Sequence, residues 1–188
     1  EYLSGFLSDA PKPAAVLVPL LRAPVKSGEE PVWHLLLTRR SDRLTEHRGQ
    51  VAFPGGRSDP GDPTPEATAL REAYEEIGLL PHQVQVLGYI SNLWTITNYS
   101  ITPVVAIISW PFSIRLATHE VSRVFIIPLN WLADPAHHEI RQREIPSPYS
   151  LQLKSERYPI IYYHPYDGEV LWGVSAEITN NLIRLLYK

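Results

Sequence analysis

The sequence predicts an α/β domain in which a mixed β-sheet lies between α-helices. Apolar runs of strand length recur along the chain, from residues 14–21 to residues 157–164. Helical patterns stand between and after them, at 65–77 and 172–187. The 188 residues, 44% hydrophobic and 20% charged, have an ordinary globular composition and predict one domain over 1–188.

The strands can be predicted in order along the chain. Residues 14–21 are an apolar run, and Pro19 within it predicts an edge strand or a bulge, because proline cannot donate to a sheet. Residues 22–31 are polar and predict a turn. The apolar run at 32–38 predicts a strand buried on both faces. Further strands are predicted at 50–53, 84–90, 101–109, 121–128 and 157–164.

The clearest helix is predicted over residues 65–77. Thr64 suits the N-cap, Pro65 suits the first helical position, and Gly78 is placed to end the helix. Its apolar stripe is predicted at Ala67, Leu70, Ala73 or Tyr74, and Ile77. A short helix is predicted over 129–133. The closing helix over 172–187 has a predicted apolar face of Val174, Ile178, Leu182 and Leu185.

The composition excludes several classes of protein. Cysteine is absent, which excludes disulfides, zinc–thiolate sites and a cysteine nucleophile, and is compatible with the reducing cytoplasm in which we expect the protein. Residues 1–10 show no signal-peptide pattern, and no apolar run approaches the ~20 residues that span a bilayer. We therefore expect no membrane partner. The net charge of −3 argues against a nucleic-acid partner.

Three glutamates on the first helix point to chemistry. Glu72, Glu75 and Glu76 stand at positions i, i+3 and i+4, so their side chains are neighbours on one helix face and repel one another. A hard divalent cation such as Mg²⁺ would remove that repulsion. Arg71, four residues before Glu75, can orient the Glu75 carboxylate. Taken alone, the same pattern also fits a solvated acidic face with one salt bridge.

The segment before this helix favours a cation site over a solvated acidic face. Pro54-Gly55-Gly56 permits a tight loop whose backbone can approach a phosphate or a metal. Residues 56–79, GRSDPGDPTPEATALREAYEEIGL, resemble the Nudix box GX5EX7REUXEEXGU, where U is a bulky aliphatic residue. Asp62 stands where the box has its first Glu, and eight residues rather than seven separate it from Arg71. Tyr74 occupies the aliphatic position.

The resemblance implies the Nudix fold and hydrolysis dependent on Mg²⁺ or Mn²⁺. It implies metal ligation by Glu72, Glu75, Glu76 and the Gly56 carbonyl, with Arg71, Glu75 and Glu76 as catalytic residues. The general base is assigned first to Glu75. Glu120, in the loop before the strand at 121–128, is the alternative, and a surface glutamate in a polar turn is an equally simple interpretation of it.

A second resemblance suggests the substrate. Residues 36–56, LLTRRSDRLTEHRGQVAFPGG, are similar to the signature LLTXR(S/A)X3RX3GX3FPGG of the coenzyme A diphosphatase branch. Thr45 stands where the signature has its second Arg. TPVVAII at 102–108 and LWGVSA at 171–176 also resemble this branch. The resemblance implies cleavage of coenzyme A, or a derivative, to adenosine 3′,5′-bisphosphate and 4′-phosphopantetheine.

The residues themselves agree with a phosphorylated small-molecule substrate. A local concentration of potential cations stands just before the glycines, and we assign it to substrate binding together with Gly55: Arg39, Arg40, Arg43, His47 and Arg48. A charged surface turn without a ligand is the alternative.

Three other functions stay open at this point. The chain could be a Nudix diphosphatase acting on ADP-ribose, NADH or a nucleoside triphosphate. It could be a non-catalytic Nudix ligand-binding module, although no box glutamate of the REUXEE core is lost. It could be an RNA-binding protein, which the acidic net charge disfavours. A homodimer is also left open.

Overall fold

The computed structural model describes residues 10–145 and 156–187, so most of the segment considered for a signal peptide lies outside it. Within these residues the main sheet has eight strands: β1 (Lys12–Ala23), β2 (Val32–Arg40), β3 (Val51–Ala52), β4 (Gly55–Arg57), β5 (Val84–Tyr89), β6 (Leu93–Trp94), β7 (Tyr99–Ile108) and β8 (Val121–Pro128). A two-stranded sheet contains β9 (His138–Glu144) and β10 (Arg157–Tyr163). The helices are α1 (Pro65–Ile77), α2 (Leu129–Ala133) and α3 (Gly173–Leu186), with single 3₁₀ turns at Pro81–Gln83 and Pro135–His137.

The main sheet is mixed, as predicted, and β1 is its central strand. On one side β1 runs parallel to β7, from the pair Lys12–Tyr99 to the pair Leu20–Ile107. On the other side it has two antiparallel partners in succession. Residues 14–16 pair with β4, and residues 20–23 pair with β2. This change of partner along β1 brings the Gly55-Gly56 segment into the sheet.

The prediction that Pro19 marks an edge strand or a bulge is wrong. Pro19 lies inside the central strand, opposite Ala106 of β7. The amide of Leu17, two residues earlier, points to the other side of β1 and donates to the Pro54 carbonyl at 2.8 Å. Pro19 has the same orientation in the strand as Leu17. The side of β1 on which its N–H is missing therefore lies between residues 14–16, which pair with β4, and residues 20–23, which pair with β2.

Helices cover both faces of the sheet. Leu35 and Leu37 of β2 point into a core shared with α2 and α3, whereas Leu36 points into a core shared with α1. All three side chains are fully buried. The structure thus confirms the predicted burial of β2 on both faces and the predicted arrangement of a mixed sheet between helices.

Helix α1 has the bounds that the sequence predicts. The Thr64 hydroxyl accepts a hydrogen bond from the Ala67 amide at 3.1 Å, and Gly78 ends the helix with a φ of 74°. The third position of its apolar stripe was predicted to be either Ala73 or Tyr74. Ala73 is buried, whereas Tyr74 is exposed.

Three sequence expectations differ from the structure. Most of the predicted glycine loop at 54–56 is in fact strand β4, because residues 55–57 pair with β1. Strand β9 has the almost wholly polar sequence HEIRQRE and was not predicted. On α3, Val174 and Leu185 are exposed, and the buried residues are Ala176, Ile178, Thr179 and Leu182. In the described part of the chain, no helix has both the length and the apolar character that crossing a bilayer requires.

Candidate active site

The two glycines of β4 lie directly against the acidic face of α1. The Gly55 amide donates a hydrogen bond to Glu76 Oε2 at 3.3 Å. A Cβ atom at Gly56 would lie 2.6 Å from Glu72 Oε1, which is closer than any real contact of this kind. Glycine is therefore needed at position 56 because the backbone approaches a carboxylate, and the pairing of β4 with β1 holds the backbone there.

Arg71 connects the acidic face to the loop before α1. Its Nη1 donates to Glu75 Oε2 at 3.0 Å and lies 2.9 Å from Glu72 Oε1. Its Nη2 donates to the Arg57 carbonyl at 3.1 Å and to Asp62 Oδ2 at 3.0 Å. One guanidinium thus orients two carboxylates of α1 and fixes the strand that carries the glycines.

Asp62 is a positioning residue to which the sequence assigned no role. Its side chain is only 8% exposed and accepts hydrogen bonds from Arg71, from the Thr68 hydroxyl at 3.0 Å and from the Asp59 amide at 3.0 Å. The hydrogen bond from Arg71, and next the one from Asp59, lower the pKa of Asp62 from 3.8 to about 2. The available signal was its place at the first Glu position of the box.

We expect Asp62→Asn to destabilise the fold by about 1.5–3 kcal/mol near neutral pH, because Arg71 loses a charged acceptor. Since the folded-state pKa lies below the ordinary value of 3.8, this stabilisation is present above pH 3.8 and is lost as the pH falls through about 2. Urea unfolding of both proteins from about pH 7 to about pH 3 should show the difference shrinking. Asp59→Asn is the control for a solvent-screened charge, because its carboxylate is 65% exposed and lies 3.7 Å from the same guanidinium. A difference that does not change with pH would contradict the assignment.

Glu72, Glu75 and Glu76 of α1 have different environments. Glu76 is 4% exposed, and burial, followed by the charge of Glu72, raises its pKa to about 8. Burial also raises the pKa of Glu72, which Arg71 partly offsets. The Glu75 side chain is 54% exposed and reaches solvent beside Arg71. A cation would therefore bind most favourably beside Glu72 and Glu76, because it would stabilise the charged forms that burial disfavours.

The loop at 113–120 brings Glu120 to the same place. Two of its amides cap the end of α1: Arg115 N donates to the Ile77 carbonyl at 3.0 Å, and Ala117 N donates to the Glu76 carbonyl at 2.9 Å. The Glu120 carbonyl accepts from the Ser41 amide at 2.7 Å. The charge of Glu120 contributes to the raised pKa values of both Glu72 and Glu76, so its carboxylate lies within electrostatic range of them.

The structure separates Arg40 from Arg39 in the basic segment. The positive charge of Arg40 lowers the pKa of Glu76, and its buried Nε has no hydrogen-bond partner among the described residues. Arg39 instead donates to Asp42 at 2.9 Å and to the Ser122 hydroxyl at 3.0 Å, and its Nε lies 3.5 Å from Glu169. Arg40 is thus beside the carboxylates, while Arg39 belongs to an ionic network between β2, β8 and the turn at 166–169.

The other members of the basic segment lie in the turn after β2. Arg43, His47 and Arg48 are all exposed there. His47 has a φ of 54°, and its Nδ1 lies 3.0 Å from the Gln50 side-chain oxygen. This turn starts next to Arg40 and returns to β3, so its cations lie at the same end of the sheet as the carboxylates.

The donor set fits a hard divalent cation. Carboxylate oxygens converge on the backbone of the two glycines, and the closest of them would be displaced by a single methyl group at position 56. Among the described residues, no three Asp, Glu or His side chains already stand at metal-binding spacing. Arg71 explains this, because it pairs with both Glu72 and Glu75.

Comparison with known proteins agrees with this geometry. The NUDIX domain model matches residues 11–161. A NudL protein of Photorhabdus laumondii, described as an uncharacterized Nudix hydrolase, is 37% identical over 178 residues, 94% of this chain and 86% of its own length. A NudL protein of Pectobacterium atrosepticum, described in the same words, is 38% identical over 90% of this chain and 80% of its own length. The crystal structure of the Nudix hydrolase RenU from M. smegmatis superposes with a TM-score of 0.51 at 26% identity, covering 65% of this chain and 74% of that one. The chain therefore belongs to the Nudix hydrolase family.

Proposed function

We propose that the protein hydrolyses the diphosphate bond of coenzyme A or a derivative, giving adenosine 3′,5′-bisphosphate and 4′-phosphopantetheine. The observation that carries this proposal is the position of Arg40. It stands in the segment that resembles the coenzyme A diphosphatase signature, and its positive charge acts on Glu76. A guanidinium charge next to a carboxylate cluster is suited to a phosphate that bridges the arginine and a bound cation.

In this proposal Glu72, Glu75, Glu76 and the Gly56 carbonyl hold Mg²⁺ or Mn²⁺. When bound, the cation would neutralise diphosphate charge and activate water. Arg71 keeps the carboxylates of Glu72 and Glu75 oriented. Gly55, whose amide donates to Glu76, is assigned to substrate binding because its backbone lies where the phosphate chain would pass.

Two carboxylates remain candidates for the general base. Glu75 is exposed and could accept a proton from water, although one of its oxygens is engaged by Arg71. Glu120 faces the cluster from the loop at 113–120, and its side chain has no cation partner other than His119, at 2.8 Å, among the described residues. The electrostatic effect of Glu120 on Glu72 and Glu76 supports it as the alternative base.

We assign the exposed cations after β2 to the 3′-phosphate of coenzyme A. Arg43 is the best candidate, because its guanidinium makes no hydrogen bond or ion pair within the described residues. Arg43→Ala should raise KM for coenzyme A about tenfold and change KM for 3′-dephospho-coenzyme A by less than about twofold. Arg22→Ala, at an exposed arginine of β1, is the matched control. Equal changes for both substrates would contradict this assignment.

Product analysis tests the proposed function most directly. The protein is incubated with Mg²⁺ or Mn²⁺ and, side by side, with coenzyme A, ADP-ribose and NADH, and the products are separated. We expect adenosine 3′,5′-bisphosphate and 4′-phosphopantetheine and the highest kcat/KM for coenzyme A. A preference for ADP-ribose or NADH would instead favour the second candidate, a Nudix diphosphatase of different specificity. No turnover of any of them would favour the non-catalytic ligand-binding module.

The remaining expectations belong to the same proposal. A small phosphorylated substrate, no nucleic-acid partner and a cytoplasmic location agree with the absence of cysteine and the net charge of −3. A homodimer is retained as an option that sedimentation of the purified protein would decide.

A further inference from the structure

An open trough follows the outer edge of β8. Its volume is about 460 Å³, within the size range of small-molecule sites. Four consecutive residues, 123–126, line it. Because successive side chains of a strand point to opposite faces of the sheet, a cavity lined by four in a row follows the edge of the strand rather than one of its faces.

Aromatic side chains from the two opposite layers form the walls of this trough. Trp110 packs with the core under α1. Tyr166 packs with the core under α2 and α3, and its ring centroid lies 4.9 Å from that of Trp131. Among the described residues β8 pairs only with β2, through residues 34–40. The outer backbone N–H and C=O groups of β8 therefore face the trough and offer hydrogen bonds to an extended chain.

The trough leads away from the candidate active site. Strand β8 starts at Val121, directly after Glu120. Residue 123 lies about 10 Å further along at the usual rise of a strand, and residue 126 lies about 20 Å along. A molecule whose diphosphate sits at the carboxylates can thus extend into the trough without turning back.

The charge of the trough favours a neutral ligand group. Arg123 is the cation in its lining, and its guanidinium pairs with Asp167 and lies 3.2 Å from Glu169 Oε1. Glu169 also lies 3.5 Å from Arg39 Nε, so two carboxylates balance two guanidiniums, and a phosphate would meet no net positive charge. A neutral chain with amide groups and methylenes suits both the strand edge and the aromatic walls.

We propose that this trough binds the pantetheine arm of the substrate, an inference that rests on the proposed function. The arm is an extended chain with two amide groups, so it can pair with the β8 edge as an added strand does. Trp110 and Tyr166 cover its methylene groups. The adenosine end has no comparable succession of amides and lies on the opposite side of the diphosphate.

Binding of the two reaction products separates the two ends of the substrate. Dissociation constants for 4′-phosphopantetheine and for adenosine 3′,5′-bisphosphate are measured by calorimetry with Mg²⁺ on wild type, Trp110→Ala and Tyr166→Ala. We expect the Kd of 4′-phosphopantetheine to rise at least about fivefold in each variant, while that of adenosine 3′,5′-bisphosphate changes less than about twofold. Trp33→Ala and Tyr89→Ala, at exposed aromatic residues of β2 and β5, are matched controls with no expected change. Trp110→Phe and Tyr166→Phe keep an aromatic ring and should retain most of the affinity for 4′-phosphopantetheine. This result would show that the loss in the alanine variants comes from the missing ring and not from misfolding.

Three results would overturn the inference. Equal losses of affinity for both products in Trp110→Ala and Tyr166→Ala, or no loss for either product, would show that the pantetheine arm does not bind in the trough. A dimer in sedimentation that Trp110→Ala dissociates, without any change in 4′-phosphopantetheine affinity, would assign the β8 edge to a second copy of the chain. A wild-type protein that does not hydrolyse coenzyme A would overturn the proposed function itself, whereas coenzyme A turnover with unchanged product affinities would overturn only the trough assignment.

Discussion

Replacing Glu75 by glutamine is expected to lower kcat by at least ~10²-fold and to leave KM nearly unchanged. Both roles proposed for Glu75, cation ligand and general base, require the negative charge that glutamine lacks. The side chain is 54% exposed and bonded to Arg71, so the substitution should affect the fold little. Steady-state kinetics with saturating Mg²⁺ or Mn²⁺, together with thermal unfolding, measure both effects.

Glu66→Gln is the matched control for this experiment. Glu66 is in the first turn of the same helix, more than two turns before Glu75, and should keep normal turnover. Glu75→Gln with near wild-type kcat would remove Glu75 from the active site. The same measurement on Glu120→Gln distinguishes the two candidates for the base. If Glu120 accepts the proton, this variant loses activity without needing a higher cation concentration.

The parts of the site that the sequence predicted well depend on local interactions. The helix α1 carries its own start and stop signals in Thr64, Pro65 and Gly78, and the spacing of its glutamates places them on one face. The resemblance of residues 56–79 to the Nudix box then gave the family, which the comparison confirms. No long-range contact had to be known for any of these steps.

The parts that could not be predicted depend on pairing between distant segments. Pro19 is tolerated in a central strand only because β1 exchanges one partner for another beside it. Strand β4 exists because residues 55–57 pair with residues 14–16, and no periodicity within three residues can predict that. Arg39 and Arg40 are adjacent in sequence, yet their opposite orientations in β2 send one to Glu169 and the other to Glu76.

Asp62 departs from the motif and still makes a defined set of contacts. Its side chain is one methylene shorter than the glutamate of the box, while the following spacer is one residue longer. The loop at 58–64 brings the shorter carboxylate to Arg71 and buries it. The contact between Asp62 and Arg71 depends on the shape of this loop, which counting residues could not predict.

The two glycines of β4 should respond differently to alanine. At Gly55 a Cβ would lie 2.5 Å from the Ala15 carbonyl oxygen and 2.5 Å from Val16 Cα, both backbone atoms of the central strand. Neither atom can move without shifting β1, so Gly55→Ala should destabilise the fold by about 1–3 kcal/mol or more. At Gly56 the atoms in the way belong to the Glu72 carboxylate, which can rotate.

Gly56→Ala should therefore leave the free energy of unfolding within about 1 kcal/mol of wild type and still lower kcat at least ~10-fold, because the displaced Glu72 carboxylate no longer meets the backbone of β4. The concentration of Mg²⁺ or Mn²⁺ needed for half-maximal activity should rise in parallel. Gly61→Ala, in the loop after β4 with no atom within 4 Å of the added methyl group, is the control for both glycines and should match wild type. Urea unfolding and a cation titration of activity on the three variants separate stability from metal binding. If Gly56→Ala kept the wild-type cation dependence, the contact between Gly56 and Glu72 would be a packing contact only, and Gly56 would leave the proposed ligand set.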